Sequence, residues 1–463
     1  MSGLTSDLNV SVQSLLAATE AMDVTTTNIA NVNTPGYARR TVVLEESTPA
    51  GGDGSTTGVD VKAIQSTRDS VLDMSINATT AQQNYNDTIS NSLGSVQTLL
   101  SDTATGSVGS TIDQFFSALQ ELSTSPSDSS QRSNVLTAAQ NVASSFQSTA
   151  ASITQARQQA DQSVVQETSR ANSLLQQIAT TNAAIATATA LGQSDNSDED
   201  QLSSELSQLS AIIDYQTVSS SQGLTLTTDD GTPLVVGSKA YTLTNSLNSS
   251  GYNDVLAGGV DITGSIQGGS LGGYLQMRDQ VLSNLGDQLD QFAFQFAEAV
   301  NNVQSSGYDL NGNQGAAMFD PPDTGSGDAT GAASSITVAL TSGSQIAAAS
   351  STGASGDNSN LTAMTALQSQ NIINGSTPDD AFANMSYSIG NTISQAKSNS
   401  TAAGNILAQL QNQQSSVEGV STDEESANLV LYERSYQAAA KVISTIDTLM
   451  GNALDMGVTN PGY

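Results

Sequence analysis

The two ends of the chain carry its most regular apolar patterns. Near the N-terminus, apolar side chains recur at intervals of three and four residues, with polar Ser11 and Thr25 filling two places in the series. The apolar members are Leu4, Leu8, Leu15, Ala18, Met22, Ile29 and Val32. Near the C-terminus the same spacing continues without a polar member through Leu429, Tyr432, Tyr436, Ala439, Ile443, Ile446, Met450 and Ala453. Such spacing is typical of helices that pack along a partner, so it predicts terminal helices that pair with each other or with another subunit.

Turn and capping residues mark where these helices end and begin. Pro35–Gly36 follows the first apolar stripe and predicts a turn. Short strand-like stretches come next, at 41–44 and 59–64. Ser421 and Thr422 precede the C-terminal stripe, and each is followed three residues later by a glutamate, which is a capping-box arrangement. The C-terminal helix should therefore begin close to these two residues.

Helical spacing dominates the middle of the chain. Residues 128–191 contain neither proline nor glycine, and their apolar pattern predicts one helix of about 90 Å at 1.5 Å per residue. An acidic stretch follows this helix and is expected to form a loop. Further helical patterns cover 74–100, 112–122, 202–215, 271–303, 361–373 and 379–417.

Two stretches break the helical pattern. Residues 216–268 alternate between apolar and polar positions as strands do, with Asp230–Gly231 placed as a hairpin turn. Residues 307–360 are rich in glycine and serine and contain one strand-like stretch, Ile336–Leu340. We expect both stretches to project from the helices.

The order of these elements predicts a mainly α fold. We expect an elongated bundle of long helices, with paired N- and C-terminal helices and small β-rich inserted domains. The predicted divisions are 1–40 (N-terminal helix and turn, paired with 421–463), 41–215 (β-hairpin and first part of the bundle), 216–268 (β-rich insert), 269–306 (returning helix), 307–360 (irregular or β insert), 361–420 (last part of the bundle) and 421–463 (C-terminal helix).

The residue types that the chain lacks exclude several kinds of chemistry. Its 463 residues include no cysteine, histidine or tryptophan, which excludes zinc sites of the usual ligands, Ser–His–Asp triads, thiol nucleophiles and disulfides. With 12 basic and 44 acidic side chains, the net charge of −32 argues against binding to nucleic acid or to an anionic membrane. No apolar run approaches the roughly 18–20 residues that span a bilayer, and the N-terminus lacks the features of a secretory signal. The expected partners are other proteins, with no membrane insertion.

One stretch has part of the pattern of a calcium loop. Four of its positions carry suitable oxygen ligands, namely Asp309, Asn311, Asn313 and Asp320. Gln314 stands where the sharp bend of such a loop needs glycine, and Asp320 is shorter than the usual glutamate. These departures favour a plain turn, with calcium binding left open.

Other candidate sites are weaker. Ser394 and Lys397 have the spacing of a serine acyl-enzyme motif, but they lie in a predicted helix and the companion K-T-G is missing. The glycines of 268–273 lack the spacing and the lysine of a phosphate-binding loop. A run of carboxylates in a serine-rich stretch is more typical of a solvated loop than of a cation site, and it comprises Asp195, Asp198, Glu199 and Asp200. We therefore predict no metal, no cofactor and no enzymatic activity.

Both ends of the chain resemble a known family. The stretch NIANVNTPGYAR contains Asn28, Asn31, Asn33, Pro35, Gly36 and Tyr37. Together with the helix before it, this stretch resembles the N-terminal segment of the flagellar axial proteins, which form the rod, the hook and the hook–filament junction. Residues Glu425–Met450 resemble the C-terminal segment of the same family, and Gly269–Gly315 resembles the helical region of its junction members.

The resemblance implies a structural role in the bacterial flagellum. It implies a ring of subunits on the hook tip that contacts the hook protein and a second junction protein, so that the filament can attach and grow. It also implies export through the flagellar type III channel without a cleaved signal peptide, an extracellular location, and a cytoplasmic export chaperone that binds within Thr422–Met456. Two alternatives stay open: a hook or rod subunit, and a secreted adhesin or hydrolase whose activity would reside in 216–268 and 307–360.

Overall fold

The computed structural model describes residues 2–34, 36–47, 58–100, 106–191, 196–220, 223–320 and 328–458. Pro35 of the predicted turn and Asp195 of the acidic run lie outside these residues. The helices are α1 (Ser2–Ala30), α2 (Ser70–Leu99), α3 (Val108–Thr124), α4 (Ser129–Ala190), α5 (Asn196–Ser210), α6 (Gly269–Gln276), α7 (Leu282–Ser306), α8 (Ala332–Ser335), α9 (Ser359–Ala366), α10 (Pro378–Glu418) and α11 (Thr422–Val458). The predicted mainly α fold is confirmed.

Short antiparallel sheets accompany the helices. The strands are β1 (Arg40–Ser47), β2 (Gly58–Ser66), β3 (Gln216–Ser220), β4 (Gly223–Thr227), β5 (Pro233–Val236), β6 (Lys239–Ala240), β7 (Leu243–Leu247), β8 (Asn253–Ala257), β9 (Val260–Asp261), β10 (Phe319–Asp320) and β11 (Thr337–Val338). They pair as β1–β2, β3–β4–β5–β6, β7–β8–β9 and β10–β11. In the β1–β2 hairpin, Arg40 lies opposite Ser66.

Helix α4 is the element around which the fold is built. It runs for 62 residues, which corresponds to about 93 Å at 1.5 Å per residue. The carboxylate of Asp128 caps its start by accepting hydrogen bonds from the backbone amides of Ser130 at 2.7 Å and Gln131 at 3.1 Å. The predicted long helix is confirmed, because nothing in its interior interrupts the backbone hydrogen bonds.

The first half of α4 belongs to one apolar core. Val135, Val142 and Phe146 pack there with apolar side chains of α2, α3, α7, α9 and the first part of α10. Aromatic rings meet at the centre, and the rings of Phe146 and Phe292 stand edge to face with their centroids 5.3 Å apart.

The second half of α4 belongs to another apolar core. Val164, Leu175 and Ile178 pack against α5, α6 and the strands of 216–268, including the fully buried Leu226 and Val255. The β-rich stretch therefore lies on the far half of the long helix.

Buried Arg278 lies between the two cores. Its guanidinium contacts Asp161 of α4 at 2.7 Å and Asp279 at 2.7 Å, and it donates to the carbonyl oxygen of Asn253 in β8 at 2.6 Å. It lies in a single π-helical turn, Met277–Val281, which separates α6 from α7 and which the predicted continuous helix over 271–303 did not include.

Two further expectations are wrong. The described part of 307–360 does not project, because Met318, Phe319 and Ile336 are buried in the first core. Buried Arg132 fixes this segment by donating hydrogen bonds to the carbonyl oxygens of Gly343 at 3.2 Å and Ile346 at 2.7 Å. The acidic run is also not a loop throughout, since α5 begins at Asn196 and carries Asp198, Glu199 and Asp200 near its N-terminus, where negative charge complements the helix dipole.

Candidate assembly site at the base of the terminal helices

Helices α1 and α11 pack along each other within one chain, and we call them the terminal pair. On α11 the predicted stripe faces α1 to varying depth: Ala439 and Ile446 are buried, and five members are partly buried, namely Leu429, Tyr432, Ile443, Met450 and Ala453. Tyr436 is 38% exposed. Whether these side chains also pack between subunits stays a prediction.

On α1 the buried face is wider than the predicted stripe. The five predicted apolar residues Leu4, Leu8, Leu15, Met22 and Ile29 are only partly buried. The deepest positions are mainly small or polar and comprise Ser11, Ala17, Ala18, Ala21, Val24, Thr25 and Asn28. The physical reason is that α1 contacts both α11 and the β1–β2 hairpin, so two faces of the helix are covered. Apolar residues at intervals of three and four identify only one such face, so the prediction did not include the buried Ala17, Ala21 and Val24.

The two polar residues in the α1 series are buried without an unmet hydrogen bond. Ser11 Oγ donates to the carbonyl oxygen of Asp7 at 2.8 Å, and Thr25 Oγ1 donates to that of Ala21 at 2.8 Å. Each hydroxyl is thus satisfied within the helix, which allows α11 and the hairpin to approach closely.

Asn28 connects three segments at the base of the terminal pair. Its Nδ2 group donates to the carbonyl oxygen of Arg40 at 2.9 Å and to Glu425 Oε2 of α11 at 3.1 Å. Its Oδ1 atom accepts from the Tyr37 hydroxyl at 2.7 Å and from the Arg40 amide at 3.0 Å. Asn28 is 1% exposed and Glu425 is 2% exposed, so water does not compete for these bonds.

Arg39 strengthens the same connection. Its Nη1 group lies 3.2 Å from Glu424 Oε2, and its Nε atom lies 2.9 Å from Glu425 Oε1 as an ion pair without hydrogen-bond alignment. Both glutamates belong to the first turn of α11. Ser421 Oγ accepts from the Glu424 amide at 3.4 Å, so the predicted start of this helix is confirmed, with Glu425 facing Asn28 and Arg39.

Other described residues of the NIANVNTPGYAR motif lie in the turn after α1. Asn31 bonds locally, with Nδ2 donating to the carbonyl oxygen of Thr27 at 2.9 Å, and Asn33 is exposed. Gly36 adopts φ +79°, a conformation that glycine takes without strain. Burial raises the pKa of the Tyr37 hydroxyl above its ordinary value, and the charge of Arg40 opposes part of that shift.

Four charged side chains fix this turn to the bundle, and we call them the basal ion cluster: Arg40, Arg68, Asp73 and Asp200. Asp200 of α5 accepts from Arg40 Nη2 at 2.9 Å and from Arg68 Nη2 at 2.7 Å, and Arg68 Nη1 lies 3.1 Å from Asp73 of α2. Arg68 also donates to the carbonyl oxygen of Gly36 at 2.7 Å. Burial alone would lower the pKa of Arg68, but the hydrogen bonds to Asp200 and Asp73 outweigh it and raise the pKa.

Glu418, the last residue of α10, completes the base. It is 4% exposed, and its Oε1 atom accepts from the amide of Asp69, the residue that caps α2, at 2.7 Å. Its carbonyl oxygen accepts from the Arg39 amide at 2.8 Å. Burial raises the pKa of the Glu418 carboxyl, although the Asp69 amide partly opposes the shift. A cleft of about 490 Å³ lies beside these residues and is lined in part by Gly36 and Gln414.

The other candidate sites have structural explanations. Asp309 accepts hydrogen bonds from the backbone amides of Asn311 and Asn313, each at 2.8 Å. Burial would raise the pKa of Asp309, but these bonds outweigh it and lower the pKa. Among the described residues, no group of three or more acidic side chains is arranged to hold a metal ion. Gly269 adopts φ +68° where its Cα packs on the backbone of Ile212.

Ser394 and Lys397 both lie exposed on α10. Within the described part of the chain, no helix is long and apolar enough to cross a membrane.

Models of known protein families match three parts of the chain. One described as "Flagellar hook-associated protein FlgK helical domain" matches residues 93–319. Those described as "Flagella basal body rod protein" and "Flagellar basal body rod FlgEFG protein C-terminal" match 8–37 and 412–456. The two shorter matches cover most of the terminal pair, and they meet in space where Asn28 contacts Glu425.

Relatives match over nearly their whole length. Flagellar hook-associated protein 1 of Salmonella typhimurium is 28% identical over 555 residues, covering 98% of this chain and 100% of the relative. The protein of the same name from Bacillus subtilis is 28% identical over 500 residues, covering 97% and 98%. A solved structure of the flagellar hook junction protein FlgK from Burkholderia pseudomallei has a TM-score of 0.66 and 19% identity, covering 74% of this chain and 100% of that one, which shows a shared fold.

Proposed function

We propose that this chain, which belongs to the flagellar hook-associated protein 1 family, is a structural subunit of the bacterial flagellum that assembles on the hook tip and allows the filament to attach and grow. The observation that carries the proposal is the order of the family matches: a helical domain of this family lies between two ends of the flagellar rod type. The family is structural, and we assign the chain no catalytic step.

The outer surface of the terminal pair supports assembly with other subunits. Large apolar side chains are exposed there on both helices, and they comprise Val12, Leu16, Val430, Leu431, Val442, Leu449 and Leu454. Leu16 is 60% exposed and Leu431 58%. Exposed apolar surface of this kind marks contacts with other proteins, and neighbouring subunits in a ring would cover it.

We also propose the partners of the chain and its export route. The subunits form a ring that contacts the hook protein on one side and a second hook–filament junction protein on the other. The chain is exported through the flagellar type III channel without a cleaved signal peptide and functions outside the cell. A cytoplasmic export chaperone covers the apolar side chains of the C-terminal segment before assembly, because those side chains would otherwise favour aggregation.

Electron microscopy of a strain that lacks the gene tests the proposal. We expect hooks without filaments, because the filament has no junction on which to grow. Missing hooks would instead favour the alternative of a hook or rod subunit. Normal filaments would contradict a structural role and favour the alternative of an adhesin or hydrolase.

Two variants separate packing within the chain from packing between subunits. Ile446→Asp places a charge inside the terminal pair, where the side chain is 5% exposed, and Leu431→Asp places one on its outer surface. We expect both to keep the helical content of the bundle and to fail to restore filaments. Leu247→Asp is the matched control, because Leu247 is 68% exposed on β7, away from the terminal pair. Filaments restored by Leu431→Asp would contradict the proposed subunit contact.

A further inference from the structure

The terminal pair joins the bundle without a shared apolar core. Among the described residues, neither apolar cluster includes a side chain of α1 or α11. The contacts at the base are instead those of the basal ion cluster, Arg39, Asn28 and Glu418, beside the open cleft. The orientation of the terminal pair therefore depends on polar contacts, which are directional, rather than on non-directional apolar packing.

Two adjacent arginines face opposite sides of this junction. Arg39 contacts Glu424 and Glu425 of α11, whereas Arg40 contacts Asp200 of α5. Successive side chains of extended backbone point in opposite directions, and Arg40 is the first residue of β1. A single peptide step therefore links the C-terminal helix to a helix from the middle of the sequence.

The backbone of this step is held on several sides. The Arg39 amide donates to the carbonyl oxygen of Glu418 at 2.8 Å, and its carbonyl oxygen accepts from the Thr67 amide at 2.9 Å. The Arg40 amide and carbonyl oxygen both bond to Asn28. The step cannot shift toward one partner without breaking bonds to another.

Asp200 extends the connection into α5 and α2. Its second oxygen accepts from Arg68, which also donates to Ser203 of α5 at 2.7 Å. The side chains of Arg40, Arg68 and Asp200 are 14–18% exposed, so solvent screens these charges less than it screens surface pairs. At the start of α5, Asn196 Nδ2 donates a hydrogen bond to the carbonyl oxygen of Ile64 in β2 at 3.0 Å.

We propose that the Arg39–Arg40 step couples the packing of α11 to the packing of α5, so that loosening either helix loosens the other. This coupling acts within a single chain, whatever the position of that chain in the flagellum. Through this step, a change in the terminal pair on assembly would reach the middle of the bundle.

Hydrogen–deuterium exchange of the full-length chain tests the coupling. The variants are Arg39→Gln, which removes a contact to α11, and Arg40→Gln, which removes a contact to α5. Arg170→Gln is the matched control, because it removes a pair on α4 in which the exposed Arg170 lies 2.8 Å from Glu167. Peptides from α5 and the first half of α11 report the coupling, and peptides from α3 serve as a remote reference.

We expect each test variant to accelerate exchange in both α5 and α11, by roughly 3- to 10-fold in the helix that it does not contact. The double variant should accelerate exchange less than the product of the single effects, and Arg170→Gln should leave both helices unchanged. Acceleration only in the contacted helix, or in neither, would overturn the inference. An equal acceleration of exchange in α3 would also overturn it, because that result indicates general destabilisation. The same holds if α11 already exchanges without protection in the unmodified chain.

Discussion

Replacing Asn28 with alanine should open the base of the terminal pair. The substitution removes four hydrogen bonds and leaves two poorly hydrated partners, the Glu425 carboxylate and the backbone of Arg40. A buried group without a partner costs about 1–3 kcal/mol, and more when it is charged. Because water can enter the space left by the amide, we expect a net cost of about 3 kcal/mol, which raises the open fraction about 100-fold.

Trypsin reports this opening, because α11 carries two of the twelve basic residues of the chain, Arg434 and Lys441. With dilute protease, the rate of cleavage follows the population of the open form. Cleavage in α11 should therefore be about 100-fold faster in Asn28→Ala. Asn31→Ala is the matched control, since Asn31 bonds locally to Thr27 on the surface, and such changes usually cost less than about 0.5 kcal/mol. Equal cleavage rates in the two variants would refute the role of Asn28.

Three further substitutions test other parts of the fold. Burial raises the pKa of Glu418, so the folded chain binds the carboxyl proton more tightly than the unfolded chain does. Stability therefore falls as pH rises through the raised pKa. The melting temperature of Glu418→Gln should lack that part of the pH dependence. Arg132→Met should lower the free energy of unfolding by about 3 kcal/mol because buried carbonyl oxygens lose their donor, whereas Arg170→Met, at an exposed site, should change it little. Gly269→Ala should lower the melting temperature, since an added Cβ would clash with the backbone of Ile212 at a positive φ. Gly264→Ala, with open space around the residue, should not lower it.

The sequence pattern predicted those helices and strands that depend on local features of the chain. Helix α4 was predicted because 62 residues without glycine or proline leave its hydrogen bonds intact. The strands β1 and β2 were also predicted near their observed positions. The start of α11 was predicted from Ser421 and Thr422, since capping acts within one turn.

Spacing could not predict which distant residues meet. Asp200 is 160 residues from Arg40, and its run of carboxylates indicated only a solvated loop. Arg132 is 211 residues from Gly343, so nothing in the local composition of 307–360 indicated that this segment is buried. One sign was visible: Arg39–Arg40 is the only pair of adjacent basic residues in a chain with twelve. In the sequence, Asn28 stands out only as part of a family motif, and its four hydrogen bonds are visible only in the structure.

The polar junction has a consequence for specificity. Replacing buried ion pairs with apolar side chains often leaves stability unchanged or increases it, so stability alone does not account for concentrating Arg39, Arg40 and Arg68 at one place. Apolar packing tolerates several orientations, whereas each ion pair and hydrogen bond here is satisfied over a narrow range of geometry. If the terminal pair must meet neighbouring subunits in one orientation, a polar junction of this kind holds that orientation better than apolar packing would. Among the described residues, the contacts that fix this orientation lie mainly on polar side chains at the base, such as Asn28, Arg39 and Arg40, not on the apolar stripes that identify the helices.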